Sequence, residues 1–237
     1  MHPAGPEKLS ALRHKIEKLQ GGISPYARAS AISLGVPEID GALPWGGLRR
    51  GGLHEIGGMS SAGAGFHAGL LRRATGDGGC ILWCQHTRTM RETGRPYGPG
   101  FRAFGLSAGQ FLFVRAEKES DALWAMEEGL RAGGLGAVVG DGITADFTAT
   151  RRLQLAAEST ATPAFVLLPP TGRAKAEPLS AALTRWRIGT VSGGVMRWAL
   201  ELARCRGGAP GSWIVEWDEQ ALHFRMAEAL GGRAAAG

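Results

Sequence analysis

Cysteine is scarce in this sequence: 237 residues hold three, Cys80, Cys84 and Cys205. An odd, sparse set of thiols excludes a disulfide-stapled framework and is too thin for a ligand cluster. We therefore expect buried, reduced cysteines in a cytoplasmic setting, and no metal site. Cys80 and Cys84 lie in GGCILWCQH, where a strand places both on one face. No apolar run approaches the roughly 20 residues that a membrane-crossing helix needs, and the start, MHPAGPEK, lacks a signal-peptide pattern. Charge of one sign is also limited. Against 21 Asp and Glu stand 27 Lys and Arg, a net +6 that suits polyanionic surroundings without requiring them.

What is present is an ordinary globular balance, 44% hydrophobic and 20% charged, in a chain long enough for one domain with short extensions. Residues 7–20, EKLSALRHKIEKLQ, carry Leu9, Leu12, Ile16 and Leu19 on one helical face. Pro3 and Pro6 precede the pattern, and Gly21 and Gly22 end it. Such a helix either packs on its own domain or reaches a partner. We divide the chain into this helix and joint (1–22), a core (23–225) and a tail (226–237) expected to be disordered.

Within the core, LHEI, CILWC, QFLFVRA, LGAVVGD and PAFVLLPP read as strands. Helices are expected at 66–74, at SDALWAMEEGLRAG with Ser120 as N-cap, and at ATRRLQLAAEST. This alternation predicts a parallel sheet covered by helices on both faces. RWRIGTV, VMRWALELARCR and SWIVEWD predict consecutive antiparallel strands at one sheet edge. Trp213 and Trp217 share a strand face, either in the core or at an interface. RETGRPYGPGFRAFGL is expected to be a loop over the carboxyl ends of the strands.

Between LHEI and the next helix lies GGMSSAGAG, with glycines spaced as in a phosphate cradle, Gly58 to Gly63. Backbone amides there, with Ser60 and Ser61 as extra donors, could hold an anion. The lysine and the metal-binding hydroxyl that should follow are replaced by Ala64 and Gly65. Glycine also weakens a first helical turn. His67 is too short, and too neutral near pH 7, to serve for the lysine. Losing both groups removes most of the electrostatic stabilisation that phosphoryl transfer depends on. Taken alone, the stretch is a broken nucleotide site, a differently used one, or a glycine-rich turn.

The run LGVPEIDGALPWGGLRRGGLHEIGGMSSAGAG resembles the opening of the RecA-type ATPase core. In that register Gln85 stands where the activating glutamate would be, and Asp141 matches the metal-associated aspartate by position. Pro169 and Pro170 replace the nucleotide-sensing end of a later strand. The resemblance covers residues 30–205 and implies a RecA-like phosphate-loop fold, an N-terminal helix, and no ATP hydrolysis. No cofactor is expected; residual weak ATP binding is left open, and its residues would be Gly58, Ser60, Ser61, Gly63, Ala64, Gly65, Gln85 and Asp141.

GALPWGGLRRGGLHEI, TATRRLQLAAESTATPAFVLL, LTRWRI and RWALELARCRGGAPGSWIVEWD resemble the ImuA family of accessory proteins in damage-induced mutagenesis. The resemblance implies a non-catalytic part in SOS-regulated translesion synthesis. Its implied partners are an ImuB-like relative of Y-family polymerases, an error-prone C-family DNA polymerase, and RecA, with activity at the nucleoid. Leu9, Leu12, Ile16 and Leu19 are candidate partner contacts, and the C-terminal strands are another. Segments matching RecA's DNA-contacting loops, around 142–147 and 171–178, are short, so any DNA contact falls to arginines. Arg151, Arg152, Arg173, Lys175, Arg185 and Arg187 are the candidates, against a reading in which they simply flank core tryptophans. The competing functions are a RecA-type ATPase using Arg49, Arg50 or Arg88 in place of the lysine, and a binding module for a division or recombination protein.

Overall fold

Short apolar runs alternating with amphipathic helices bury themselves best as a parallel sheet between helical layers. The computed structural model, which describes residues 31–58, 63–169, 179–191 and 196–227, has this form. A small ribbon comes first: β1 (Ala31–Ile32) pairs with β2 (Leu48–Arg49) around α1 (Pro37–Ala42). Then follow β3 (Leu53–Gly57), α2 (Gly63–Thr75), β4 (Ile81–His86), α3 (Thr87–Thr93), α4 (Gly98–Arg102) and β5 (Phe111–Ala116). Next come α5 (Glu119–Ala132), β6 (Ala137–Asp141), α6 (Phe147–Thr160) and β7 (Ala164–Leu167). The chain closes with β8 (Thr184–Thr190), β9 (Arg197–Cys205), β10 (Gly211–Asp218) and β11 (His223–Met226).

Nine strands form the central sheet in the order β11-β10-β9-β8-β3-β7-β6-β4-β5. From β5 across to β8 every pairing is parallel. Strands β9, β10 and β11 extend the β8 edge in antiparallel fashion. This is a RecA-like α/β core with antiparallel edge strands. The late strands RWRIGTV, VMRWALELARCR and SWIVEWD are antiparallel to one another, and β8 joins them to the sheet by lying parallel to β3.

The uninterrupted apolar strands are buried on both faces. In β4, Ile81 and Trp83 enter the core that holds Phe66 and Leu70 of α2. Leu82 and Cys84 face the opposite core, with Met126 and Leu130 of α5 and Leu153 of α6. Cys80 packs against that same second core, so the two thiols share a face. All three cysteines are free, and burial pushes each thiol above its ordinary pKa.

Local signals misplaced some boundaries. Ser120 is not the N-cap of α5. Lys118 is, because the amides of Asp121 and Ala122 already bond to the Lys118 carbonyl. Helix α6 starts at Phe147, where the Asp146 carboxylate accepts from the Ala149 amide at 2.7 Å. The stretch 91–106, expected to be a loop, contains the end of α3 and all of α4, whose Gly-Pro-Gly content hid its helical turn. The ribbon β1–β2 and strand β11 were too short to show a period. The expected N-terminal helix (7–20) lies outside the described residues, as do 228–237 of the expected tail.

Candidate functional site

The parallel strands end where β3, β4, β6 and β7 approach the first turn of α2. Gly58 leaves β3 at φ +82°, and a Cβ there would stand 2.6 Å from the Ile188 carbonyl oxygen. Only glycine makes that turn against β8. Gly63, Ala64 and Gly65 form the first turn of α2. Ser60 and Ser61 lie outside the described residues.

Gly65 has a reason that its neighbours in sequence do not reveal. A Cβ at this position would meet Trp198 Cζ2 at 2.9 Å and Phe104 Cζ at 3.1 Å. One turn on, a Cβ at Gly69 would meet Phe224 Cζ at 2.7 Å and Trp217 Cε3 at 2.9 Å. The two glycines form a smooth stripe on α2 against which the aromatic rings of β9, β10 and β11 lie. A hydroxyl at position 65 therefore has no room. Gly65→Ser is expected to cost about 1–3 kcal/mol by overpacking, offset by a few tenths from better helix propensity. Thermal melting would show a drop of a few degrees, and an unchanged Tm would refute the packing role.

Gln85, at the end of β4, is buried. Its amide donates to Gly94 O at 3.0 Å and to Asp141 Oδ2 at 2.9 Å. The same Oδ2 receives the Trp83 indole N–H at 3.3 Å. Desolvation raises the Asp141 pKa, and these two hydrogen bonds oppose it. Gln85 and Asp141, register partners on β4 and β6, thus form one hydrogen-bonded unit that also anchors the turn at Gly94. Thr89 adds a bond to Gly142 O at 3.2 Å.

Between this unit and α2 opens a cleft of about 450 Å³. Ala64, Gly65 and His67 of α2, Asp141, Leu167 and Pro169 line it beside Trp83, Phe101 and Phe104. The stretch expected to cover the strand ends does so, through Gly94–Tyr97 and α4. His67, which sequence reasoning treated only as a poor lysine, is 3% exposed, and neither ring nitrogen has a hydrogen-bond partner among the described residues. Burial lowers its pKa from 6.5 to about 4, so the ring is neutral. Its i,i+3 relation to Ala64, which also lines the cleft, could have marked it as cleft-facing.

The cations proposed for other tasks are dispersed. Arg50 is buried and donates to Ala74 O at 2.7 Å. That is the far end of α2, about 15 Å from its first turn at 1.5 Å per residue, so Arg50 cannot replace the missing lysine. Arg88 pairs with Glu92 at 2.9 Å on the α3 surface. Arg49 sits exposed in β2.

Among the nucleic-acid candidates, Arg185 is corrected by its burial. It is 4% exposed, with Nε 2.7 Å and Nη2 2.6 Å from Glu55 Oε2, its register partner across β3 and β8. An arginine spent on an internal carboxylate is not offered to phosphates. Arg187 pairs with Glu201 opposite it on β9. Arg151 and Arg152 are exposed on α6, where Arg152 Nε lies 3.6 Å from Glu127 Oε2. Arg173 and Lys175 lie outside the described residues, as does Pro170. Trp217 is buried and Trp213 packs on the same core, 6.2 Å from Trp186, so both belong to the interior.

Among the described residues no group of three or more His, Cys, Asp or Glu could hold a metal, and no helix is long and apolar enough to cross a membrane. No protein-family model matches the chain. The chain is similar to two curated proteins, each named Protein ImuA, from Caulobacter vibrioides strains NA1000 and CB 15. Each is 36% identical over 210 residues, covering 79% of this chain and 84% of the relative.

Proposed function

The chain belongs to the ImuA family, and from that premise we propose that it is a non-catalytic accessory subunit of a damage-induced mutasome. In this reading it supports error-prone translesion synthesis by binding an ImuB-like protein, in a complex with an error-prone C-family polymerase and in contact with RecA. The observation that carries the reading is what became of the nucleotide site. Gly65 is committed to Trp198 and Phe104, and Gln85 to Asp141 and Gly94. Both positions serve packing and anchoring, which supports a fold kept as a scaffold for partners.

Co-purification of the full chain with an ImuB-like protein tests this reading. Capture is expected, and deletion of residues 1–22, which removes Leu9, Leu12, Ile16 and Leu19, is expected to abolish it. Removing everything from residue 197 would be a poor comparison, because Trp198, Trp217 and Phe224 belong to the core. Substituting the exposed Ile214 and Met226 by Asp probes that edge while sparing the core. If neither change weakens capture, these surfaces are not the interface. Mg²⁺-dependent ATP binding with a micromolar or tighter affinity would overturn the non-catalytic assignment.

A further inference from the structure

The cleft holds a feature that the scaffold role leaves unused. His67 is buried in its wall with both ring nitrogens unpartnered. An unsatisfied buried polar group costs about 1–3 kcal/mol, and native structures rarely leave one without a purpose. The surrounding walls are carbon: Trp83 and Phe104 are nearly fully buried, and Phe101 packs edge-on to Trp83 with ring centroids 6.1 Å apart. A cleft of this size and make-up, with few converging polar groups, is the usual form of a small-molecule site.

We infer that the cleft binds an uncharged aromatic heterocycle of nucleobase size, bearing a ring N–H or amino donor and carrying no phosphate. The polar groups select this chemistry. A neutral imidazole offers one N–H and one acceptor nitrogen, and burial keeps His67 neutral at physiological pH. Asp141 contributes an acceptor: its Oδ2 is engaged by Trp83 and Gln85, and Oδ1 meets no donor among the described residues. A heterocycle with adjacent donor and acceptor nitrogens serves both residues and stacks on aromatic walls. A hydrocarbon would leave both polar groups unserved. A phosphate would enter against the Asp141 carboxylate, and among the described lining residues the exposed Arg95 is the one cation to offset it, beside the amides of the first turn of α2.

The inference is independent of which protein partner the scaffold holds, and its test uses the full chain alone. Adenine and adenosine are titrated by calorimetry and by thermal shift, alongside Mg-ATP and inorganic triphosphate. Binding of the base or nucleoside in the micromolar to sub-millimolar range is expected, with Mg-ATP at least several-fold weaker and triphosphate silent. His67→Leu is expected to weaken base binding at least tenfold while leaving the circular dichroism unchanged. Should that variant misfold, Thr93→Trp, at an exposed position on the cleft wall, is expected to block entry. No binding of either probe at millimolar concentration overturns the inference. So does Mg-ATP binding tenfold tighter than adenosine, or wild-type affinity in both variants.

Discussion

Acidifying the protein from pH 7 to 5.5 is expected to remove about 2–3 kcal/mol of unfolding free energy, and about 4–5 kcal/mol by pH 4.5. Two buried histidines carry the effect. His54 is enclosed in a satisfied chain: Trp186 Nε1–H donates to Thr184 Oγ1 at 2.9 Å, Thr184 lies 2.8 Å from His54 Nδ1, and His54 Nε2 lies 2.9 Å from Arg49 O. Desolvation nevertheless lowers its pKa from 6.5 to about 4, with the Arg49 carbonyl opposing. His67 falls to about 4 through burial alone.

Both rings stay neutral in the folded state while the unfolded chain takes up protons below about 6.5. Their contribution is therefore fully present above that pH and is lost as pH falls toward 4. With two such groups the slope approaches about 2.7 kcal/mol per pH unit. Asp141 acts in the opposite sense: its raised pKa lets the folded state take a proton first, which offsets part of the loss at the acid end. Urea denaturation at pH 7.5, 6.5, 5.5 and 4.5 measures the slope. His67→Leu should remove about half of it, because one of the two proton uptakes disappears. A stability profile flat from neutral pH to 4.5 would show that these rings are hydrated or already charged.

The second large effect sits between β3 and β8. Arg185→Leu is expected to cost about 3–5 kcal/mol, since it strands the Glu55 carboxylate in the interior. At roughly 2–4 °C per kcal/mol for a chain of this size, Tm should fall by about 10 °C. The pair itself is a poor stabiliser, because desolving two ions consumes most of their attraction. The double variant Glu55→Leu/Arg185→Leu should therefore recover most of the loss, and a double-mutant cycle would give a coupling well above additivity. Equal and additive losses in the two single variants would mean that the groups do not depend on each other.

Arg185 also shows where reading residues in order stops working. Beside Trp186 and Arg187 it looks like one of a set of surface cations. Its true partner, Glu55, lies 130 positions earlier and meets it only through the parallel pairing of β3 with β8. Gly65 carries the same lesson. As a local signal it weakens a helix, but Trp198 and Phe104 make its lack of a Cβ a packing requirement. His67 reads as a failed lysine until the helix turns it into an apolar cleft.

By contrast, the strands of the sheet other than β11, the two-faced burial of CILWC, and the cover supplied by residues 94–104 were legible. Each rests on something local, such as an apolar run, a 3.6- or 2-residue period, or the rule that parallel strands present their carboxyl ends together. Those local terms are set by the neighbours of each residue, so the sequence by itself determined the layers and the order of the main elements. Which arginine became buried, which glycine had to remain one and which histidine was left without a partner were decided only by the tertiary structure. Each depends on a side chain brought from more than thirty positions away, and no local pattern records such a contact.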